Sequence, residues 1–172
     1  MTAGVTSLVV VGAILVNFLV MGRAVVALNI GLVICFALWV RHAWPAPSTR
    51  LQWAYGFGLL VQTLHVGEEY VTAFNIAFPR LFGYEWTSAQ FLSFNFAWLA
   101  ILTLSMVGLW RGARWAYLAV LFVAVGVGII NGLGHLALAA RSGGYFPGLY
   151  TAPLCLMMGT LLLWFVARSS VT

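Results

Sequence analysis

The run from Leu51 to Phe74, LQWAYGFGLLVQTLHVGEEYVTAF, decides how the fold is interpreted. It is long and apolar enough for one membrane span, because a helical span needs about 20 mainly apolar residues. It nevertheless contains His65, Glu68 and Glu69, which are one of the three histidines and two of the three acidic residues in the chain. Ionisable side chains are costly in hydrocarbon, so their presence within a span predicts a functional site.

The spacing within this run predicts that the ionisable side chains share a helix face. Residues three and four positions apart are neighbours on a helix, so Glu68 and Glu69 flank His65. The three side chains can converge on one point, or Glu68 can turn toward a different neighbour. A buried polar cluster that only joins helices is the alternative without chemistry.

Two further motifs follow along the chain. Asn131-Gly-Leu-Gly-His135 places a second histidine within an apolar run, and Tyr145-Phe-Pro147-Gly148 lies in a turn-rich loop. Together with His65-x-x-Glu68-Glu69, these motifs resemble the HXXEE family of small bacterial integral membrane proteins. The resemblance covers roughly Leu51 to Pro153. It supports the position of a site but implies no reaction, because the family has no settled biochemical role.

The composition is that of a membrane protein. The 172 residues are 63% hydrophobic and 6% charged, and the mean hydropathy is +1.04. Arginine supplies all the basic residues, and most arginines end apolar runs, where they contact lipid headgroups and set topology. We therefore exclude nucleic-acid binding and expect the lipid bilayer to be the main partner.

The apolar runs predict an all-α integral membrane protein with a single domain, residues 1–172, that is a bundle of six transmembrane helices. The predicted helices are residues 5–21, 24–40, 51–74, 90–110, 116–140 and 149–167. A tight turn at Gly22-Arg23 separates the first two, because residues 5–40 are too many for one span. The aromatic connection at residues 75–89 is expected at the membrane interface.

The distribution of arginines orients this bundle, because cytoplasmic loops carry an excess of Lys and Arg. With six spans, the side of both termini carries Arg41, Arg50, Arg111, Arg114 and Arg168, and the other side carries Arg23, Arg80 and Arg141. We therefore predict a multi-pass protein of the bacterial inner (plasma) membrane with cytoplasmic termini. An alternative places Arg23 deep in the membrane, paired with a glutamate.

The polar residues of two helices fall at matching depths. The third and fifth predicted helices run in the same direction, so Glu69 and His135 each lie about 8 Å below their helix ends at 1.5 Å per residue. On the same geometry His65 and Asn131 each lie about 13 Å below. Polar side chains face a bundle interior because lipid does not solvate them. The sequence therefore predicts a polar pocket in the outer half of the membrane.

The first hypothesis for this pocket is acid–base catalysis without a cofactor. The catalytic candidates are His65, Glu68, Glu69 and His135, and the substrate-binding candidates are Asn131, Asn95, Gln62, Trp98 and Tyr145. A carboxylic acid in an apolar site can protonate an alkene, epoxide or carbonyl group, and a second group can take the returning proton. The reaction would be an isomerisation or cyclisation of a hydrophobic lipid or isoprenoid-like substrate.

A metal site is the second hypothesis, with His65, Glu68, Glu69 and His135 as ligands. Histidine and carboxylate suit a tetrahedral zinc site or an iron site with two histidines and one carboxylate. The repeated Glu-x-x-His pattern of di-iron bundles is absent, which argues against two metal ions. Zinc or iron would then make the protein a hydrolase or an oxidoreductase.

A third hypothesis is a non-enzymatic lipid-binding protein or a proton-coupled transporter that uses the same ionisable cluster. The sequence shows no internal repeat, and this argues against alternating access in a monomer. A homo-oligomer would remove that objection.

Overall fold

A computed structural model describes residues 3–42, 44 and 46–169, so the first two and last three residues of the predicted domain lie outside it. All regular secondary structure in the described residues is helical, which confirms the predicted all-α class. The helices are α1 (Ala3–Met21), α2 (Val26–Arg41), α3 (Thr49–Val71), α4 (Phe74–Arg80), α5 (Ser88–Trp110), α6 (Ala116–Ser142) and α7 (Ala152–Ser169).

The helices α1 and α2 form an antiparallel hairpin. Gly22 adopts a left-handed backbone (φ +66°) and begins a short 3-10 segment, Gly22–Val25, between them. Asn17 Nδ2 donates a hydrogen bond of 2.8 Å to Asn29 Oδ1. In one straight helix these two residues would be about 18 Å apart along the axis. Their contact therefore requires the chain to reverse direction at this segment.

Arg23 lies in this reversal and is exposed, which contradicts the alternative of a deep, glutamate-paired arginine. Each of the three glutamates has other partners. Glu85 Oε1 pairs with Arg80 at 2.6 Å, Glu69 contacts histidines, and Glu68 accepts hydrogen bonds from a loop. Within the described residues, no glutamate is left for Arg23.

The helix α3 ends at Val71, not at residue 74 as predicted. Ala73 adopts a left-handed backbone (φ 62°), a conformation that ends α-helices. The Glu68 carbonyl accepts two hydrogen bonds from Thr72 at this end, one from its N–H (3.0 Å) and one from its Oγ1 (2.7 Å). The short helix α4 follows at once and lies largely within the connection predicted for residues 75–89.

The connection after α3 packs against the α1–α2 turn. Trp86 is buried, and its Nε1 donates a hydrogen bond of 3.0 Å to the carbonyl of Met21. The Tyr84 hydroxyl accepts a hydrogen bond of 2.8 Å from Ala24 N. These aromatic side chains therefore tie the connection to the hairpin.

The helix α6 is the centre of the bundle. Its middle stretch, Phe122–Ile130, is a π-helix, and the backbone comes close to both neighbouring helices there. A Cβ atom added to Gly31 of α2 would lie 2.9 Å from Gly126 Cα, and one added to Gly128 would lie 2.6 Å from Gly159 Cα of α7. Because glycine has no side chain, α2 and α7 approach α6 until their backbones touch.

The helix α7 begins at Ala152, not at residue 149 as predicted. Gly148 has a left-handed backbone (φ 89°), and residues 147–151 form turns. The N–H groups of Tyr150 and Thr151 donate to the Glu68 carboxylate on α3. A side chain of another helix thus binds N–H groups just before the start of α7, where a carboxylate is also favoured by the helix dipole.

Among the described residues, three helical runs are long and apolar enough to cross a membrane: Gly4–Arg41, Ser88–Trp110 and Ala116–Ser142. The helix α3, which carries the polar residues of the central motif, is not one of the three. The first of them contains both helices of the hairpin. Ala152–Arg168 is a shorter apolar helix. Large apolar side chains such as Leu8, Leu19 and Leu104 are exposed on the surface of the bundle. This surface and these helix lengths agree with a location in the membrane.

The close contact of α6 with α7 leads to a prediction about stability. Gly128→Ala would place a Cβ atom against the backbone of Gly159 and the carbonyl of Cys155, which are not free to move. We expect a loss of about 1–3 kcal/mol of stability, as for other overpacked interiors. Gly134→Ala is the matched control, because no atom lies within 4 Å of its added Cβ. Thermal unfolding in detergent should show a lower midpoint for Gly128→Ala alone.

Candidate functional site

Three buried ionisable side chains meet between α3 and α6. His65 and Glu69 are one turn apart on α3, and His135 lies on α6. The distance from His65 Nε2 to His135 Nε2 is 3.2 Å. Glu69 Oε1 lies 3.2 Å from His135 Nε2 and 3.5 Å from His65 Nε2. These three residues form a compact triangle of atoms, and we refer to them as the triad.

The outer ring nitrogen of each histidine is hydrogen-bonded. His135 Nδ1 lies 2.6 Å from the carbonyl oxygen of Pro147, so this nitrogen carries a proton and donates it. His65 Nδ1 lies 2.6 Å from Thr151 Oγ1. That hydroxyl donates its single proton to Glu68 Oε2 at 2.5 Å and must therefore accept from His65. Both imidazoles thus direct Nε2 toward the centre of the triad.

Asn131 of α6, which directly follows the π-helical stretch, adds a polar contact to the triad. Its Nδ2 donates a hydrogen bond of 2.8 Å to His65 Nε2. Asn131 and His135 are one turn apart on α6, as are His65 and Glu69 on α3, and the two pairs face each other. The structure therefore brings together four of the residues that the sequence indicates.

Glu68 does not reach the triad and faces the loop before α7 instead. Its carboxylate accepts hydrogen bonds from the Tyr145 hydroxyl (2.9 Å), from Tyr150 N (3.0 Å) and from Thr151 N (2.8 Å) and Oγ1 (2.5 Å). Glu68 is connected to His65 only through the Thr151 hydroxyl. The open alternative in which Glu68 turns to a different neighbour is the one that the structure shows.

The loop before α7 also supports His135. A Cβ atom at Gly148 would overlap the ring of His135, so only glycine leaves room for the imidazole here. Tyr145 in the same loop is part exposed and donates to Glu68. Its partial burial and the facing Glu68 carboxylate raise the pKa of the Tyr145 hydroxyl, which therefore keeps its proton and remains a donor.

A cavity of about 550 Å³ lies beside the triad, with Glu69 and His135 in its wall. This size is within the usual range of small-molecule sites, about 300–1,000 Å³. Gln62, Asn95 and Asn131 add polar groups to the wall. Most of the remaining wall is apolar and aromatic and includes Phe74, Phe78, Phe82, Trp86, Phe91 and Phe94.

Two of the predicted substrate-binding residues have other partners. Asn95 Nδ2 donates a hydrogen bond of 2.9 Å to the Phe91 carbonyl of its own helix, although Asn95 still borders the cavity. Trp98 Nε1 donates a hydrogen bond of 3.1 Å to Asn17 Oδ1. Trp98 lines a second, apolar cavity of about 510 Å³ that does not include any triad residue.

Thr151 is the residue of the site that the sequence analysis missed. It joins His65 to Glu68 through a single hydroxyl group. The motif Tyr145-Phe-Pro147-Gly148 ends three residues before it and predicts a turn at this loop, but it does not indicate the threonine. Threonine is common in apolar helices, and nothing in its spacing to the other motifs distinguishes it.

These features define a class: an all-helical protein with apolar, membrane-length helices and a buried His/Glu/His site beside an apolar cavity. The chain belongs to the HXXEE family, because the family described as "Protein of unknown function with HXXEE motif" matches residues 56–163. The matched region contains the whole triad and the loop before α7. Comparisons with curated proteins and with solved structures find no match.

The hydroxyl of Thr151 provides a test of this geometry. Thr151→Val keeps the side-chain shape but leaves His65 Nδ1 without a partner and removes one of the four donors to Glu68, so we expect a loss of about 1–3 kcal/mol of stability. Thr151→Ser keeps the hydroxyl and should be closer to the wild type. Thr160→Val on α7 is the control, since the Thr160 hydroxyl bonds to its own helix and is exposed. Thermal unfolding in detergent measures all three variants.

An equal effect of Thr151→Val and Thr151→Ser would contradict the proposed role of the hydroxyl, because the two variants differ chiefly in that group.

Proposed function

We propose that this protein is a metal-dependent membrane enzyme in which His65, Glu69 and His135 bind one zinc or iron ion. The observation that carries the proposal is the orientation of the triad. With both Nδ1 protons directed outward, two imidazole lone pairs and a carboxylate oxygen face one another. The lone pair of His135 Nε2 and the Glu69 carboxylate oxygen would repel each other unless a cation, either a proton or a metal ion, lay between them. A metal ion bound by all three residues would replace the Asn131 N–H at His65 Nε2.

The donors around the triad support this reading. Asn131 donates to His65 Nε2, but among the described residues no N–H or O–H group other than the triad's own donates to His135 Nε2 or to Glu69 Oε1. Buried polar atoms nearly always have a hydrogen-bond partner. A metal ion would be the shared partner of these atoms.

The distances also fit a metal site. Zinc binds histidine nitrogen at about 2.0–2.1 Å and carboxylate oxygen at about 2.0–2.2 Å, so neighbouring ligand atoms of a tetrahedron are about 3.3–3.5 Å apart. The triad distances are 3.2, 3.2 and 3.5 Å. The three atoms therefore have the spacing of one face of a zinc tetrahedron, with the fourth position left for water or substrate.

The hydrogen bonds behind the histidines agree with the proposal. Histidine ligands usually donate their other ring N–H to a backbone carbonyl, a carboxylate or water, which fixes the ring and the tautomer. Here His135 donates to Pro147 O, and His65 donates to Thr151, which donates to the Glu68 carboxylate. Glu68 would then act from outside the metal site, and not as the ligand that the sequence suggested.

The cavity suggests the kind of substrate. Its aromatic wall would hold an apolar body, and its polar wall would place a functional group beside Glu69 and His135. A bound zinc or iron ion would polarise a carbonyl or phosphoryl group or activate water there. The chain itself would exclude bulk water, hold the substrate and orient the two imidazoles.

Acid–base catalysis remains a second candidate for the same residues. Glu69 Oε1 lies within 3.5 Å of both Nε2 atoms, so one shared proton would relieve the same repulsion. The protein would then need no cofactor and would isomerise or cyclise a hydrophobic substrate by proton transfer. Metal content separates the two candidates.

We also propose six membrane spans, namely α1, α2, α3, α5, α6 and α7, in a bacterial inner membrane with both termini in the cytoplasm. The arginine distribution supports this orientation. The α1–α2 hairpin supports two spans within Gly4–Arg41. On this topology, the α1–α2 turn, the α4 connection and the loop before α7 lie together on the outer side.

The metal proposal predicts the metal content of purified protein. The wild type, prepared without chelators and without a polyhistidine tag, should contain about one zinc or iron ion per chain, the occupancy of a site with three protein ligands. Glu69→Gln and His135→Ala should lose the ion because each removes a ligand. His42→Ala is the matched control, since His42 is exposed and lies outside the triad. Mass spectrometry of the metals gives the stoichiometry.

Each variant should elute from size-exclusion chromatography as the wild type does, which shows that it is folded. Wild-type protein without zinc or iron, even after incubation with either ion, would reject the metal proposal and favour proton transfer. Equal metal in the wild type and in Glu69→Gln would place the ion elsewhere.

A further inference from the structure

Gln62 extends the polar face of α3 beyond the triad. It lies three residues before His65 and seven before Glu69, so the three side chains share one helix face. Gln62 is one turn from His65, about 4.5 Å along the helix axis. It borders the same cavity as Glu69 and His135. The polar wall of the cavity is therefore longer than the triad alone.

The amide oxygen of Gln62 has no hydrogen-bond partner among the residues that the structure describes. Gln62 Oε1 is buried, and no donor in the described residues reaches it. Leaving a buried acceptor unpaired carries the full cost of removing it from water, so such atoms in a folded protein require an explanation. Because Gln62 lines a cavity, a bound molecule can supply the missing donor.

A hydroxyl group fits this position better than an ammonium group. An ammonium would lose its hydration in a largely aromatic cavity, and a buried charge is costly unless it is paired. Glu69 is the carboxylate in the cavity wall, and it is already held between His65 and His135. A neutral O–H group can donate to Gln62 Oε1 at a smaller cost.

The remaining cavity indicates an apolar body that enters from the bilayer. Val26, Ala27 and Ile30 of α2 and Ala137 of α6 line the cavity and are also exposed on the surface of the bundle. The close contact at Gly31 and Gly126 lies next to this opening. Part of the cavity mouth thus faces sideways, where a spanning bundle contacts hydrocarbon, and part opens at the end of the bundle beside Arg23 and Phe82.

We propose that the cavity binds a lipid-like alcohol whose hydroxyl group donates to Gln62 Oε1 and whose apolar body lies against the aromatic wall. The hydroxyl-bearing end of the alcohol would lie beside the triad. That the alcohol is the substrate of an enzyme rests on the proposed function. Binding itself requires no metal.

The test compares an isoprenoid alcohol with an analogue that lacks the donor. Radiolabelled farnesol and farnesyl methyl ether are bound to the protein in lipid nanodiscs, with empty nanodiscs as background. The wild type should bind the alcohol about tenfold more tightly than the ether, the effect of one hydrogen bond to a buried acceptor. Gln62→Leu should lose this preference while it still binds the ether.

Gln52→Leu is the matched control, because Gln52 lies on the same helix and does not line the cavity. It should keep the wild-type preference. If Gln62→Leu does not fold, Gln62→Met replaces it. The comparison of the two probes on the wild type needs no variant, and equal binding of both probes contradicts the proposal.

Three outcomes overturn the proposal: the wild type binds neither probe, it binds both equally, or its preference persists in Gln62→Leu. The metal content of the same samples keeps the two proposals distinct. If the protein contains no metal and its preference for the alcohol depends on Gln62, the metal proposal is rejected and the alcohol site is supported. If the protein contains metal but shows no preference for the alcohol, the alcohol site is rejected and the metal proposal is supported.

Discussion

The tautomer of two buried histidines is the constraint on which the site depends. Pro147 and Thr151 hold the outer nitrogen of His135 and of His65, respectively, so both inner nitrogens face Glu69. On the proposed account, a cation lies between the Glu69 carboxylate and these imidazoles and relieves the repulsion of their lone pairs. In a membrane this repulsion is stronger, because no solvent reaches the interior to relieve an unpaired charge. The loop before α7 is therefore as important to the site as the helices that supply the triad.

The packing of α6 explains how this loop reaches the triad. Glycines at 126 and 128 let α2 and α7 approach the π-helical stretch at backbone distance. Asn131 and His135 follow that stretch directly and face α3. Single π-helical turns are often found at functional sites, and here a longer one precedes the residues that contact His65 and Glu69. Glu68 completes the arrangement, since it joins α3 to the start of α7.

Helical periodicity predicted the part of the site that lies on regular helices. The repeat of 3.6 residues relates His65 to Glu69 and Asn131 to His135, and the matched depths predicted that the pairs would meet. The all-α class followed from the apolar runs in the same way. The HXXEE motif indicates His65 and Glu69 together with Glu68.

Helical periodicity could not predict the features that depend on loop conformation, such as the partner of Glu68 and the end of α3. Glu68 and Glu69 are equally close to His65 by spacing, and the choice between them depends on the N–H groups of Tyr150 and Thr151. Those groups are available only because Gly148 bends the chain before α7. Ala73 adopts a left-handed backbone and ends α3, but an alanine in the sequence does not predict this conformation. The aromatic character of Trp98 predicts a place in the pocket, whereas in the structure its Nε1 donates to Asn17 on α1 and its ring lines the second cavity.

X-ray absorption at the metal edge tests the central claim most directly, because it reports which atoms surround the ion. The account predicts two imidazole nitrogens and one or two oxygens at about 2.0–2.2 Å. Sulfur at about 2.3 Å would place the ion on a cysteine, such as the buried Cys155. That result, or a spectrum without imidazole scattering, would contradict a metal ion held by His65, Glu69 and His135.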